Sequence, residues 1–156
     1  MPIEKQPDGA GGFTRQSAGS DRKFIEVSAA LIFRDGRLLI TQRQATSHLG
    51  GYWEFPGGKR ESGETFEECL AREIREELGV EIAVGELFEE ISHTYPEKSV
   101  RLKFFLCKLL AGEPWPVDCA AVKWIEKGGL DAHEFPAADA RLLGKLKNCK
   151  TQGLFS

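Results

Sequence analysis

Residues Gly58 to Val80 read GKRESGETFEECLAREIREELGV, and this stretch decides how the chain is interpreted. A glycine precedes a helical pattern that carries acidic side chains at fixed spacing, namely Glu64, Glu73, Glu76 and Glu77. Carboxylates packed this closely repel one another unless a cation lies among them. Because hard divalent ions prefer oxygen ligands, the stretch indicates a metal site that faces a phosphate substrate.

The acidic helix also has an ordinary interpretation. Helices in which Glu and Arg alternate are common solvated surfaces, and Arg72 with Glu76 is a standard i,i+4 ion pair. The neighbouring residues favour the metal site. The pair Gly57-Gly58 lets the backbone approach a ligand closely, and Glu64 stands where the helix is predicted to begin.

Length and composition predict one globular domain, over residues 23–150 of the 156-residue chain. Residues 1–22 are rich in Gly, Ser, Asp and Gln, so we expect a disordered tail there, and a flexible C-terminus at 151–156. The formal net charge of −3 argues against a nucleic-acid polymer as partner. A small phosphorylated ligand remains compatible with that charge, because a metal ion supplies positive charge locally.

The cysteine pattern favours free thiols in a reducing compartment. Cys69, Cys107, Cys119 and Cys149 form no C-x-x-C pair, and their spacing indicates no zinc site. The sequence has neither an apolar run of membrane-spanning length nor the apolar centre of a signal peptide. We therefore expect a cytoplasmic protein with no membrane partner.

Hydrophobic patterning predicts a mixed α/β architecture. Strands are predicted at Phe24–Phe33, Leu38–Thr41, Tyr52–Phe55, Val80–Ile91, Val100–Leu110 and Ala121–Ile125. Helices are predicted at Thr65–Leu78 and Ala137–Asn148. Between the first two strands, Asp35-Gly36 is typical of a tight hairpin. Pro56-Gly57-Gly58 is predicted to end the third strand.

The acidic stretch contains the pattern G-x5-E-x7-R-E-U-x-E-E-x-G-U, in which U is apolar, with no position broken. Its specified residues are Gly58, Glu64, Arg72, Glu73, Ile74, Glu76, Glu77, Gly79 and Val80. This is the signature of the Nudix hydrolases, and the chain resembles that family. Residues 41–48, 54–59, 112–115 and 134–139 resemble its MutT-like branch. The resemblance implies a Nudix α/β/α sandwich with a mixed β-sheet and the signature loop–helix–loop.

The resemblance also implies a metal cofactor, Mg²⁺, for which Mn²⁺ can substitute. The implied ligands are the carbonyl of Gly57 and the carboxylates of Glu64, Glu73, Glu76 and Glu77. Of these, Glu64 is expected as an auxiliary ligand. Arg72 is expected to orient the glutamates through charge-assisted hydrogen bonds.

MutT-like enzymes convert nucleoside triphosphates, often oxidised ones, into the monophosphate and pyrophosphate. In this chemistry water attacks the β phosphorus, the metal ion neutralises phosphate charge, and a carboxylate acts as base. The expected catalytic residues are Glu73, Glu76 and Arg72, with Glu73 or Glu76 as the base.

One position departs from the family pattern. Some members take their base from a later loop, and that position is occupied here by Lys108. Glu97 and Glu113 lie nearby in sequence, but both are more typical of exposed acids. The identity of the base therefore stays open.

A second set of residues matches family positions that contact the nucleotide. These residues are Arg43, His48, Glu54, Phe55, Pro56, Gly57, Gly58 and Asp139. Several have ordinary alternatives. Arg43 fits a charge at a strand end, His48 fits a surface histidine, and Phe55 fits a core aromatic.

Asp139 bears on which nucleobase the protein prefers in its substrate. MutT itself has asparagine here, and an amide both donates and accepts, whereas an ionised carboxylate only accepts. CTP and modified-pyrimidine pyrophosphohydrolases carry aspartate in a similar Pro-Ala-Asp context. The alternative is that Asp139 caps the last helix.

The favoured function is Mg²⁺-dependent hydrolysis of an oxidised or modified nucleoside triphosphate, such as 8-oxo-dGTP, which sanitises the nucleotide pool and so serves DNA repair. Two alternatives are enzymatic: a CTP or modified-pyrimidine pyrophosphohydrolase, and a hydrolase of ADP-ribose or dinucleoside polyphosphates. A fourth hypothesis is a Nudix-fold module that only binds nucleotide. The expected partner is a small nucleotide, and the chain is a monomer or a homodimer.

Overall fold

The structure is a computed structural model that describes residues 23–148 and 154–155. The expected tail at 1–22, most of the expected C-terminal segment at 151–156, and Cys149 lie outside the described residues. The described residues divide into two compact units, residues 23–25 with 94–100, and residues 26–93 with 101–148 and 154–155. In the described part of the first unit, the Tyr95 N–H donates to the Lys98 carbonyl at 2.7 Å. The site described below belongs to the second unit.

The described residues form a seven-stranded sheet with helices. The strands are β1 (Lys23–Arg34), β2 (Arg37–Gln42), β3 (Trp53–Glu54), β4 (Gly57–Lys59), β5 (Glu81–Thr94), β6 (Lys98–Ala111) and β7 (Ala121–Ile125). The helices are α1 (Phe66–Leu78), α2 (Gly129–Ala132), the 3₁₀ helix Ala137–Asp139 and α3 (Ala140–Asn148). The strand order is β3-β2-β1-β6-β5, while β4 also pairs with β1 and β7 with β2. No helix among the described residues is long and apolar enough to cross a membrane.

Side chains of β1 alternate between two buried clusters, one on each face of the sheet. Ala29 and Leu31 belong to the cluster that includes Leu142 of α3. Ala30 and Ile32 belong to the cluster that includes the buried stripe of α1. The sheet therefore lies between α1 and α3, as an α/β/α sandwich requires.

The hairpin predicted at Asp35-Gly36 is confirmed. Both residues have positive φ, 53° at Asp35 and 75° at Gly36, as in a type I′ turn. The register pairs Arg34 with Arg37 directly across the turn.

The helix predicted at Thr65–Leu78 is confirmed, with Thr65 as its N-cap. The Thr65 side chain accepts from the Glu68 N–H at 3.0 Å, and the Glu68 carboxylate accepts from the Thr65 N–H at 2.9 Å. This reciprocal capping box determines where α1 begins. Gly79 ends the helix in the left-handed conformation at φ 70°.

Two of the differences between the structure and the predictions bear on the site. The third strand ends before Pro56, as predicted, but the two glycines after it begin a further strand, β4, which pairs antiparallel with Val27–Ala29 of β1. A side chain at Gly57 would overlap the Ser28 carbonyl, so this pairing depends on glycine. The predicted last helix begins with a 3₁₀ turn at Ala137–Asp139 and becomes α-helical only at Ala140.

Candidate active site

Helix α1 lies with its glutamates against the glycine strand β4. A Cβ at Gly58 would overlap the Glu73 carboxylate, and the Gly57 N–H donates to Glu77 Oε1 at 3.2 Å. Glu73 and Glu77 are four residues apart and so lie on the same side of the helix. The absence of side chains at Gly57 and Gly58 is what allows both carboxylates to reach the backbone of β4.

The guanidinium of Arg72 donates hydrogen bonds to Glu64, Glu73 and Glu76 of the signature. Its Nε and Nη2 donate to the two carboxylate oxygens of Glu64 at 2.6 and 3.0 Å. Its Nη1 donates to Glu73 at 3.1 Å and to Glu76 at 3.2 Å. The bond from Arg72 holds the pKa of Glu64 down at about 2 and raises the pKa of Arg72 itself. Arg72 is therefore placed to orient three of the four glutamates.

Burial makes two of the glutamates hard to ionise without a cation. It raises the pKa of Glu77 to about 8, with a further contribution from the charge of Glu54. Burial also raises the pKa of Glu73, although the bond from Arg72 opposes that shift. A cation beside these groups favours their charged forms.

The residues fit a hard divalent ion by the chemistry of their donor atoms. Carboxylate oxygens of Glu73, Glu76 and Glu77 and the carbonyl of Gly57 are the ligands such ions prefer. In residues 23–148 and 154–155, no three His, Cys, Asp or Glu side chains converge closely enough to hold an ion as they stand. Arg72 already donates hydrogen bonds to Glu73 and Glu76, and the Glu76 side chain is 60% exposed. The ligand set, including Glu64, therefore stays a prediction.

A cleft of about 300 Å³ opens beside the glycine strand. Its charged lining residues are Arg43, Glu54, Lys59, Glu77 and Asp139. Its other lining residues are Val27, Ser28, Ala29, Phe55, Gly57, Gly58, Leu102 and Phe104. The cleft thus brings one glutamate of the signature into the same space as Asp139, which lies sixty-two residues further along the chain.

Arg43 pairs with Glu54 in the wall of this cleft. Arg43 Nη1 lies 2.9 Å from Glu54 Oε1, and the two side chains are about a quarter to a third exposed. Arg43 Nε also donates to the backbone carbonyl of His48 at 2.6 Å. His48 itself is exposed and does not line the cleft. Pro56 is buried, and its carbonyl accepts from the Ala30 N–H at 2.8 Å.

Asp139 ends the 3₁₀ helix and is only 7% exposed. Burial raises its pKa to about 7, with a further contribution from Glu54. Within the described part of the chain its carboxylate accepts no helix-capping hydrogen bond, so the capping alternative is not supported. Its N–H donates to the Pro136 carbonyl at 3.0 Å.

The segment before Asp139 is held against β3 by specific contacts. The Trp53 N–H donates to the Glu134 carbonyl at 2.8 Å. The rings of Phe55 and Phe135 are stacked, with centroids 5.3 Å apart. Phe55 therefore contributes both to the core and to the cleft, and the two interpretations of that residue are compatible.

Sequence reasoning missed several walls of the cleft. Residues 27–29 of β1, and Leu102 and Phe104 of β6, line it. Period-two alternation was visible in the sequence, but it does not show which face of a strand meets the site. Glu113, which the sequence left open as a candidate general base, instead forms a bidentate ion pair with Arg34. Arg34 Nη1 and Nη2 donate to its two carboxylate oxygens at 2.9 and 3.0 Å.

An acidic helix held by an arginine against a glycine strand, beside an open cleft, suits the metal-assisted hydrolysis of phosphorus-containing acid anhydrides. Residues 28–145 match the model of the NUDIX domain, and the chain belongs to the Nudix family. It is a MutT-like Nudix hydrolase, as the sequence predicted. The hypothesis of a module that only binds nucleotide is therefore not supported.

Three comparisons show how near the relatives are. An 8-oxo-dGTP diphosphatase of Haemophilus influenzae is 38% identical over 129 residues, which are 82% of this chain and 95% of that protein. A CTP pyrophosphohydrolase of Escherichia coli is 56% identical over 64 residues, 41% of this chain and 47% of that protein. The solution structure of the E. coli ORF135 protein is 33% identical with a TM-score of 0.71, covering 84% of this chain and 96% of that one. The predicted Nudix architecture is confirmed.

Replacing Gly58 with Ala should lower nucleotide hydrolysis at least about 10-fold with little loss of stability. The new Cβ meets the Glu73 carboxylate, which is the flexible end of a side chain and can move away. Steady-state kinetics and urea unfolding test this. Gly128→Ala is the control, because a Cβ there meets nothing within 4 Å. Full activity in Gly58→Ala would contradict the close approach of α1 and β4.

The stability of the protein should depend on pH through Asp139. Its pKa rises from the ordinary 3.8 to about 7 on folding, so between these values the native state binds the extra proton and stability falls as pH rises. Asp139→Asn removes this titration. Its free energy of unfolding relative to wild type should grow by up to about 1.4 kcal/mol per pH unit between pH 5 and 7. Urea unfolding in EDTA at several pH values measures this, and a pH-independent difference would refute it.

Proposed function

We propose that this enzyme is a Mg²⁺-dependent pyrophosphohydrolase that converts an oxidised or modified nucleoside triphosphate, such as 8-oxo-dGTP, into the monophosphate and pyrophosphate. The observation that carries the proposal is the cleft shared by Glu77 of the acidic helix and by Asp139. Glu77 brings the acidic helix, whose carboxylates suit a metal–phosphate complex, to the cleft, and Asp139 offers a buried polar group for a nucleobase. The name of the H. influenzae relative supports the same substrate.

At the phosphate end, Glu73, Glu76, Glu77 and the Gly57 carbonyl would hold Mg²⁺ or Mn²⁺, with Glu64 as an auxiliary ligand. When bound, the ion neutralises phosphate charge and makes water a better nucleophile. Arg72 holds Glu73 and Glu76 in place, and one of these two carboxylates accepts the proton of the attacking water. Lys59 lines the cleft next to Gly58 and supplies positive charge for the phosphates.

At the base end, Asp139 and Phe55 would form the recognition surface. Phe55 presents an aromatic ring, stacked on Phe135, that suits contact with a nucleobase. Asp139 accepts hydrogen bonds when ionised, and donates one as well when protonated. Arg43 reaches this end through its pair with Glu54, and the role of Arg43 is to hold the wall of the cleft.

A second candidate substrate is CTP or a modified pyrimidine triphosphate. The high identity over 64 residues with the E. coli CTP pyrophosphohydrolase favours it. An ionised Asp139 accepts from the amino group of cytosine, just as it accepts from the N–H groups of a purine edge. The two candidate substrates therefore share one mechanism and differ only in the nucleobase that the enzyme recognises.

A substrate panel tests the proposal directly. With Mg²⁺, the enzyme should release pyrophosphate from 8-oxo-dGTP with a kcat/KM at least about 10-fold above that for dGTP, dCTP, 5-methyl-dCTP or ADP-ribose. Asp139→Asn should reorder the panel while leaving the metal requirement in place. Preference for the cytosine nucleotides would establish the second candidate, and inactivity on every triphosphate would refute both.

Glu73→Gln and Glu76→Gln should each lower turnover by about two orders of magnitude or more, because each change removes a charged oxygen from the proposed ligand set. The amide side chains have nearly the same size, so urea unfolding should show folded proteins. Glu67→Gln is a matched control on the same helix, at an exposed position. Near-wild-type rates in both Glu73 and Glu76 variants would remove this helix from the mechanism.

A further inference from the structure

Helix α1 meets the glycine strand along one row of side chains, Cys69, Glu73 and Glu77, each one turn after the last. The Cys69 Sγ lies 3.5 Å from the Gly58 carbonyl oxygen. Glu73 then covers the α carbon of Gly58, and Glu77 accepts from the Gly57 N–H. The first member of this row is thus a fully buried thiol that takes no part in the proposed chemistry.

Ser28, like Cys69, is fully buried. It stands on β1 directly opposite Gly58 in the antiparallel register. Its hydroxyl donates to the Phe66 carbonyl, in the first turn of α1, at 2.8 Å. Ser28 therefore joins β1, which carries the glycine strand, to the helix that carries the glutamates.

These polar contacts differ in kind from the rest of the helix packing. Leu70, Ile74 and Leu78 bury the apolar stripe of α1, and the hydrophobic effect that drives this burial is not directional. Hydrogen bonds fix both distance and angle. Because Glu73 follows Cys69 by one turn, a shift at Cys69 moves the Glu73 carboxylate along the glycine strand.

We propose that Ser28 and Cys69 are positioning residues that set the placement of the Glu73 and Glu77 carboxylates over Gly57 and Gly58, and through it the affinity of the site for a divalent ion. The inference rests on the metal site of the proposed function. It adds two residues to the site. Ser28 lies outside the signature pattern, and Cys69 occupies one of its unspecified positions.

Direct binding of Mn²⁺ to the purified protein, followed by EPR of the free ion, tests the inference without any turnover. Ser28→Ala and Cys69→Ala should each weaken Mn²⁺ binding by about 10-fold. Cys69→Ser retains a donor toward the Gly58 carbonyl and should bind Mn²⁺ nearly as tightly as wild type. The Mg²⁺ concentration that gives half-maximal hydrolysis should shift in parallel.

Cys107→Ala is the matched control. Cys107 is a buried cysteine in the apolar cluster that contains Leu70, Ile74 and Leu78, but its thiol lies 3.5 Å from the Phe105 carbonyl of its own strand. Its replacement should lower stability about as much as Cys69→Ala does, yet leave Mn²⁺ binding unchanged. This separates positioning from general loss of packing.

The outcomes distinguish the two proposals. If wild type binds no Mn²⁺, the metal site of the proposed function is wrong. If wild type binds Mn²⁺ and Cys69→Ala binds it as tightly as Cys107→Ala does, the positioning role is wrong while the metal site stands. If Ser28→Ala does not fold, the comparison of Cys69→Ala with Cys69→Ser still decides.

Discussion

Glu73, Glu76 and Glu77 of α1 lie close to Glu64, which precedes the helix, and the guanidinium of Arg72 is the cation that keeps three of these four glutamates together. Without it, like charges at this spacing repel, and burial of Glu73 and Glu77 adds a desolvation cost. The fourth, Glu77, is outside the reach of Arg72 and accepts instead from the glycine strand. The placement of the whole acidic surface thus depends on one arginine and one stretch of bare backbone.

The charge inside the cleft is determined by acidic side chains that come from distant parts of the chain. Glu54 of β3 raises the pKa of both Glu77 and Asp139, although burial is the larger cause for each. Arg43 neutralises part of that charge through its contact with Glu54. A cleft with this balance suits a ligand that brings its own cations to the phosphate end and hydrogen-bond donors to the base end.

Local features were predictable because local chemistry determines them. The capping box at Thr65 and Glu68 determines the start of α1, and Asp35-Gly36 determines a two-residue turn, whatever the rest of the chain does. The strand at Gly57–Lys59 was missed because two glycines read as a turn in isolation. Only the neighbouring backbone of β1 shows that these glycines permit close pairing.

By itself, the sequence determined the family, the spacing of the acidic helix and the element that carries it, since these depend on residues within a few turns of one another. Tertiary structure decided which side chains share the cleft. Asp139 joins Glu54 and Glu77 because the sheet and the Phe55–Phe135 stack bring separate segments together. It also decided that Ser28 pairs with Gly58 across the strands and that the Cys69 thiol lies against the Gly58 carbonyl. Such long-range contacts depend on packing and register, which no local pattern encodes.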